Sequence, residues 1–134
     1  IDYGCGSGIL ALAAQKLKAA SVAGTDIDPQ AITASQQNAE RNNETIRFAL
    51  VEHFDSGPVD LLIANILAGP LKELSSEFNR LLKPEGTLVL SGLLASQAEE
   101  LMAHYQRIGI ELTTLEQQDE WGLLAGKKVT CQPA

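Results

Sequence analysis

Hydrophobic and polar residues follow two periods along this chain, and the two periods predict a repeated strand–helix order. Short apolar runs that suit buried strands alternate with longer segments in which apolar residues recur every three or four positions, as on one face of a helix. The predicted strands are residues 1–3, 21–26, 45–51, 59–64 and 87–92, with a final pair at 110–117 and 121–129. The predicted helices are residues 8–19, 29–42, about 70–82 and 96–106, and residues 83–86 are predicted to form a turn. His104, on the last of these helices, is expected at the surface.

This order of elements predicts an α/β fold. A strand that returns to its sheet through a helix runs parallel to the strand before it, and such connections place helices on both faces. Residues 59–64 show almost no alternation, as expected for a strand covered on both faces. No helix separates the last two strands, so one of them should be antiparallel. We therefore expect a doubly wound, mostly parallel, Rossmann-like sheet with an antiparallel terminal strand.

The composition limits the class of protein. A chain of 134 residues with 45% hydrophobic residues and a mean hydropathy near zero suits one globular domain with a real core. No apolar run is long enough to cross a bilayer, and two cysteines make neither a disulfide framework nor a metal cluster. These features predict a cytoplasmic protein with no membrane partner and no metal site.

The charge of the chain bears on its partners. The formal net charge is −7 and the pI is about 4.7. An acidic surface disfavours direct binding to nucleic acid and permits a basic protein as partner. The alternative is that the acidity only keeps the protein soluble, and the charge leaves both interpretations open.

Candidate chemistry begins at residues 2–8, Asp-Tyr-Gly-Cys-Gly-Ser-Gly, where a strand is predicted to end and a helix to begin. Glycine lets the backbone approach a ligand closely, and a helix start offers free N–H groups. A dinucleotide fingerprint G-x-G-x-x-G would need glycine at residue 9, which is Ile9. The spacing therefore disfavours a nicotinamide cofactor.

The spacing D-x-G-x-G-x-G resembles instead the first motif of class I S-adenosylmethionine-dependent methyltransferases. The resemblance implies that Gly4, Gly6 and Gly8 let the loop pass under the methionine and ribose of this cofactor. Asp2 would either order the turn or bind the ammonium group of the methionine portion through its carboxylate. The alternative interpretation of the same glycines is a tight turn with no ligand.

A second landmark follows the second predicted strand. Asp26 lies 22 residues beyond Gly4, and a carboxylate at the tip of that strand can accept hydrogen bonds from both hydroxyls of a ribose. Asp26 is thus the predicted ribose ligand, and Ile27 beside it is a predicted cofactor contact. Asp28 is the alternative ligand, but it stands before Pro29, where it would cap the next helix. We favour capping for Asp28.

Polar residues also follow the third and fourth strands. Glu52 lies where an adenine-binding acid would be expected, although a loop acid can equally be solvated. Asn65 follows a fully apolar strand, and a polar amide in that position is costly without partners. We expect Asn65 to orient an acceptor amine; the alternative is that it caps a helix beginning near Pro70. Because ligands of such sheets bind at the carboxyl ends of strands, all these residues are expected at one edge.

Several segments together resemble the PrmA family of ribosomal protein L11 methyltransferases. The segments are residues 2–10, 24–32, 38–42, 65–71, 91–99 and 120–128. Residues 65–71, Asn-Ile-Leu-Ala-Gly-Pro-Leu, are the most specific of them. They only partly match the Asn/Asp-Pro-Pro-aromatic motif of other amine and amide methyltransferases, since Ile66, Leu67 and Ala68 replace its prolines and aromatic residue.

The resemblance implies a protein lysine N-methyltransferase that uses S-adenosylmethionine. The substrate would be the large-subunit ribosomal protein L11, methylated on lysine side chains and on its N-terminal amine, with cofactor contacts at Gly4, Asp26 and Asn65. Residues 1–134 would be the catalytic domain, truncated at its N-terminus and lacking the small domain that recognises L11. The alternatives are a class I methyltransferase for another amine or amide, a nicotinamide-dependent oxidoreductase, and a cofactor-binding module without activity.

Overall fold

The computed structural model describes residues 1–66 and 68–129, which belong to two compact units that divide between Asp55 and Ser56. The first unit contains three strands and two helices. They are β1 (Asp2–Tyr3), α1 (Ile9–Lys16), β2 (Ala23–Asp26), α2 (Pro29–Arg41) and β3 (Arg47–Leu50), followed by a 3₁₀ turn over Val51–His53.

The sheet of the first unit is parallel, with β2 between β1 and β3. Asp2 pairs with Gly24, and Gly24 pairs in turn with Phe48. The helices bury their apolar sides in a core cluster with the sheet, which consists of Cys5, Ala11, Leu12, Ala39 and Phe48. The predicted strand–helix order of this unit is confirmed, although α1 ends earlier than expected, because the chain turns at Lys18 with a positive φ of 68°.

The described part of the second unit, residues 56–66 and 68–129, contains four strands and three helices. They are β4 (Val59–Asn65), α3 (Ala68–Glu73), α4 (Ser75–Leu81), β5 (Leu82–Leu94), α5 (Ala98–Gln106), β6 (Ile110–Gln118) and β7 (Trp121–Lys128), with a 3₁₀ turn over Ala95–Gln97 before α5. β4 and β5 are parallel, whereas β7 runs antiparallel to both β5 and β6 and lies between them. The predicted α/β class and the antiparallel terminal strand are therefore confirmed.

The core of the second unit supplies every large side chain that is fully buried among the described residues. These are Tyr105, Phe78, Leu62, Leu71, Leu81, Leu82, Leu88, Leu90, Leu93, Leu101, Ile110 and Leu124. Two polar side chains support the packing: the Tyr105 hydroxyl donates to the Leu71 carbonyl, and Lys128 Nζ donates to the carbonyls of Asn79 and Leu82 at the end of α4. A cation there complements the negative end of the helix dipole.

Three sequence expectations for the second unit were wrong in detail. The helix expected at 70–82 is two helices that divide at Leu74. The turn expected at 83–86 lies within β5, which absorbs it by a register shift against β4. Coverage of β4 on both faces is incomplete, since Leu62 and Ala64 are fully buried but Leu61 is 41% exposed.

The described helices also bear on membrane association. None of them is both long enough and apolar enough to span a membrane.

Candidate functional site

The glycine loop, residues 4–8, connects β1 to α1 in the first unit. Gly4 N and Cys5 N both donate to the Thr25 carbonyl, at 2.8 and 2.9 Å, so the loop starts against the end of β2. Gly8 has a φ of +82°, and a Cβ there would lie 3.0 Å from Ser35 and 3.2 Å from the Phe48 ring. Glycine is thus required at residue 8 by both conformation and space. A Cβ at Gly6 would meet nothing within 4 Å, so the loop is open on that side.

The Asp26 carboxylate joins the end of β2 to this loop. Its Oδ2 accepts from Gly6 N at 3.0 Å, and its Oδ1 accepts from Asp28 N at 3.0 Å. A carboxylate has about four acceptor positions, so two backbone bonds leave capacity for further donors. The structure therefore brings Asp26 to the glycine loop, as the sequence predicted.

Asp28 is the N-cap of α2, and this expectation is confirmed. Its Oδ1 accepts from Gln30 N at 2.9 Å, and Pro29 occupies the first turn. A side-chain acceptor at this position satisfies one of the N–H groups that a helix start leaves without an intrahelical partner. The cap leaves Asp26 as the acid at the tip of β2.

Asp2 is a buried acid, 4% exposed, at the start of β1. Its Oδ2 accepts from Ala11 N in α1 at 3.2 Å, while its Oδ1 has no hydrogen-bond partner within the described part of the chain. Burial raises the pKa of this carboxyl, because the charged form loses its hydration, and the negative charge of Asp26 acts in the same direction. An unpaired buried oxygen of this kind is an unused acceptor.

Ile27 and Glu52 are both exposed. The Ile27 side chain is 84% exposed directly after Asp26, and Leu17 in the same unit is exposed to the same extent. Glu52 lies in the 3₁₀ turn after β3, two residues beyond Leu50, the register partner of Asp26. Its side chain is 74% exposed, and its Oε1 lies 3.9 Å from His53 Nε2. Glu52 therefore lies at the expected edge of the sheet and projects into solvent.

Two residues of α2 that the sequence analysis missed hold the glycine loop. Ser35 is fully buried and its Oγ donates to the Gly6 carbonyl at 3.0 Å. Asn38 Nδ2 donates to the Ser7 carbonyl at 2.9 Å. Asn38 does fall within a segment that carries the family resemblance, which was the one available signal. Ser35 gave none, because a serine on a helix is ordinary.

Asn65 belongs to the second unit, at the end of β4, where it pairs in register with Ser91 of β5. Its side chain is exposed. The helix that follows begins at Ala68, three residues later, so Asn65 does not occupy the position directly before the helix that a capping residue takes. Its environment argues against the capping alternative.

Two further features of the described residues concern acids, bases and metals. His104, which was expected at the surface, is half-buried, and its Nε2 lies 2.9 Å from the Ser75 Oγ. That contact joins α5 to α4 and makes His104 a packing residue. No three His, Cys, Asp or Glu side chains come together as metal ligands anywhere in residues 1–66 or 68–129.

The fold is that of class I methyltransferases. A ribosomal protein L11 methylase from Lactobacillus delbrueckii subsp. bulgaricus superposes with a TM-score of 0.88 over 96% of this chain and 69% of that one, at 33% identity. The magnesium protoporphyrin IX methyltransferase of Synechocystis PCC 6803, solved with bound SAM, has the same fold, with a TM-score of 0.72 at 20% identity over 95% of this chain and 68% of that one. The chain belongs to the ribosomal protein L11 methyltransferase (PrmA) family, whose model matches residues 1–129.

Curated relatives extend beyond this chain. The ribosomal protein L11 methyltransferase of Hydrogenovibrio crunogenus is 65% identical over 128 residues, which cover 96% of this chain and 44% of that protein. The Vibrio cholerae (strain O395) protein of the same name is 50% identical over 132 residues, with the same coverage. The chain therefore spans less than half the length of these relatives.

Proposed function

We propose that the chain is the part of a methyltransferase that binds S-adenosylmethionine and delivers its methyl group to amines of ribosomal protein L11, namely lysine side chains and the N-terminal amine. The observation that carries the proposal is the bond between Gly6 N and Asp26, which joins an open glycine loop to a carboxylate at the tip of β2. Membership of the PrmA family supports the substrate. A ribosomal substrate in turn favours the cytoplasm.

The residues of the first unit fit this cofactor. Gly6 leaves open space beside the loop, and Asp2 keeps one buried oxygen without a partner among the described residues. We assign Asp2 to the methionine ammonium, the backbone at Gly4, Gly6 and Gly8 to the methionine and ribose, and Asp26 to the ribose hydroxyls. Ile27 offers an apolar surface to the adenine, and Glu52 an acceptor for its exocyclic amine. When bound, the cofactor supplies a methyl group on a positively charged sulfur.

Asn65 is assigned to the acceptor amine. The amine must arrive uncharged, because a protonated nitrogen has no lone pair with which to form the new N–C bond. The Asn65 side-chain oxygen and the adjacent Ile66 carbonyl accept hydrogen bonds from the N–H groups of the amine. These two bonds fix the direction of the lone pair on the amine nitrogen. The proton that the methylated nitrogen carries leaves to water, and no side chain is assigned as an obligatory base.

The binding part of the proposal is tested by calorimetry. We expect saturable binding of S-adenosylhomocysteine and no binding of NADH. Binding of NADH alone would identify the chain as part of an oxidoreductase and would overturn the proposal.

The methylation part requires purified L11. We further propose, from the family resemblance, that L11 is recognised by a segment outside residues 1–134, so the assay uses the chain within its full-length protein with labelled S-adenosylmethionine. Mass spectrometry of L11 should find methyl groups on lysine side chains and on the N-terminal amine. A protein that is folded and binds cofactor, yet leaves L11 unmodified, would support the binding-module alternative. Transfer to another amine substrate would identify a different acceptor.

A further inference from the structure

Gly92, in β5, lies against the two oxygen atoms assigned to the acceptor amine. It follows Ser91, the register partner of Asn65, and its φ is +84°. An ideal Cβ at residue 92 would lie 2.8 Å from the Ile66 carbonyl oxygen, 2.9 Å from Asn65 Oδ1 and 3.1 Å from the Ile66 carbonyl carbon. Real Cβ atoms are essentially never found closer than 3.0 Å to such atoms. Both oxygens therefore lie beside one point that only a hydrogen atom can occupy.

This convergence is specific to Gly92. Gly57 and Gly69, in the same unit, have nothing within 4 Å of an added Cβ. Gly86, on the same strand, would bring a Cβ to 2.8 Å from the Lys83 carbonyl oxygen and 3.1 Å from that of Val59, neither of which is assigned to the substrate. Tight packing of a glycine thus occurs twice on β5, and only at Gly92 does it involve the pair of acceptors.

We propose that Gly92 is a positioning residue for the methyl-accepting amine: the absence of its side chain lets Asn65 Oδ1 and the Ile66 carbonyl lie side by side. This inference rests on the proposed role of Asn65. A methyl group at residue 92 has to displace one oxygen or both by several tenths of an ångström. Displacement of orienting groups by about 1 Å can lower a rate by about a hundredfold, because the reacting atoms lose alignment.

The test is a comparison of Gly92→Ala with wild type in the full-length protein. We expect kcat for L11 methylation to fall by about tenfold to a hundredfold, and the Kd for S-adenosylhomocysteine to stay within about twofold. Gly86→Ala is the matched control. It introduces a similar backbone clash on the same strand, so it should lower Tm while leaving kcat unchanged below its own Tm.

A double-mutant cycle with Asn65→Ala isolates the mechanism. If Gly92 acts through both acceptors, Gly92→Ala should cost less in kcat when the Asn65 side chain is already absent, and the part of the loss that remains should come from the clash with the Ile66 carbonyl. An equal loss of kcat in both backgrounds, or an unchanged kcat in Gly92→Ala, would overturn the proposal. Two other results would contradict the proposed function instead: a wild-type protein that fails to methylate amines, or an Asn65→Ala variant that keeps full activity.

Alanine at residue 92 is also strained by the positive φ there, so a second variant is needed to separate this strain from the clash with the two oxygens. Asparagine tolerates positive φ better than alanine does, and its Cβ meets the same two oxygens, so Gly92→Asn separates the clash from the strain. It should lose kcat as Gly92→Ala does, with a smaller drop in Tm. If both folded variants lose cofactor affinity as well, Gly92 supports the binding site in general and the proposal is wrong.

Discussion

At the scale of single residues, Asp26 combines a structural and a proposed binding role. Both of its oxygens accept hydrogen bonds from backbone N–H groups, one in the glycine loop and one in the segment that leads into α2. An amide in its place keeps one acceptor and turns a donor toward an N–H group. The same change therefore affects loop geometry and ribose binding together.

We predict that Asp26→Asn weakens S-adenosylhomocysteine binding by at least about tenfold, since hydrogen bonds to charged groups contribute roughly 1.5–3 kcal/mol each. Calorimetry measures the change. Asp28→Asn is the matched control: it removes the same charge two residues away, and asparagine still caps α2. Equal loss of affinity in the two variants would show that charge alone, and not the position of Asp26, matters.

Asn65 is predicted to act on the reaction and not on stability. Its side chain is exposed and lies three residues before α3, so Asn65→Ala should remove little packing. We expect a large fall in kcat for L11 methylation, with Tm changed by no more than a few degrees. Steady-state kinetics and calorimetric melting of the full-length protein measure both. Activity near wild type together with a lowered Tm would instead assign Asn65 a structural role and contradict its role in the reaction.

Ionised Asp2 is predicted to lower the free energy of unfolding at neutral pH. Burial raises the pKa of this carboxyl in the folded state above its ordinary value of 3.8, so the folded state favours the protonated form. The stability that the protonated carboxyl contributes is therefore fully present below pH 3.8 and is lost as pH rises through the folded-state pKa. Asp2→Asn should therefore raise Tm at neutral pH in the absence of cofactor. The difference from wild type should shrink as pH falls through the folded-state pKa. A difference that is constant with pH would contradict the assignment of the effect to ionisation.

At the scale of elements, α2 supports the glycine loop from behind. Ser35 and Asn38 lie on one side of this helix and donate to successive loop carbonyls, of Gly6 and Ser7. The N-cap at Asp28 fixes where the helix begins, and thereby which residues face the loop. From its sequence, α2 would be expected only to pack against the sheet. In the structure it also sets the geometry of the candidate cofactor site.

We predict that Asn38→Ala weakens cofactor binding several-fold, because the Ser7 carbonyl loses its donor and the loop gains freedom. The fold should remain, with a loss of about 1 kcal/mol in the free energy of unfolding, as expected for one hydrogen bond. Gln37→Ala, at an exposed neighbouring position of α2, is the control and should change neither quantity. Unaltered affinity in Asn38→Ala would show that the loop holds its shape without this bond.

At the scale of the whole chain, the net charge of −7 carried by residues 1–134 bears on how the proposed substrate approaches them. Lysine-bearing segments of L11 carry positive charge, and an acidic partner attracts them over a distance that salt shortens. We predict that the KM for L11 rises steeply as ionic strength rises from low to above physiological values. The Kd for S-adenosylhomocysteine should change much less. Parallel salt series of the two constants provide the measurement, and equal salt dependence would point to a general effect on folding.

The sequence by itself determined the features that depend on neighbouring residues. The alternation of short apolar runs and amphipathic segments predicted the order of strands and helices, because each period belongs to one backbone geometry. The Asp28–Pro29 cap and the turn through Gly4 and Gly8 were readable for the same reason. Asp26 could be preferred as the acid at the tip of β2 because it ends an apolar strand, whereas Asp28 stands directly before Pro29.

Only the tertiary structure decided the features that arise between distant residues. Ser35 and Asn38 lie about thirty residues from the loop that they hold, and Gly92 lies far along the chain from Asn65. Nothing in the local sequence marks such pairs, since register, helix rotation and close approach are set by packing of the whole unit. The burial of Asp2 and the place of β7 between β5 and β6 were decided in the same way. Local sequence can name a reactive group, but the neighbours that hold it in position follow from how the elements pack.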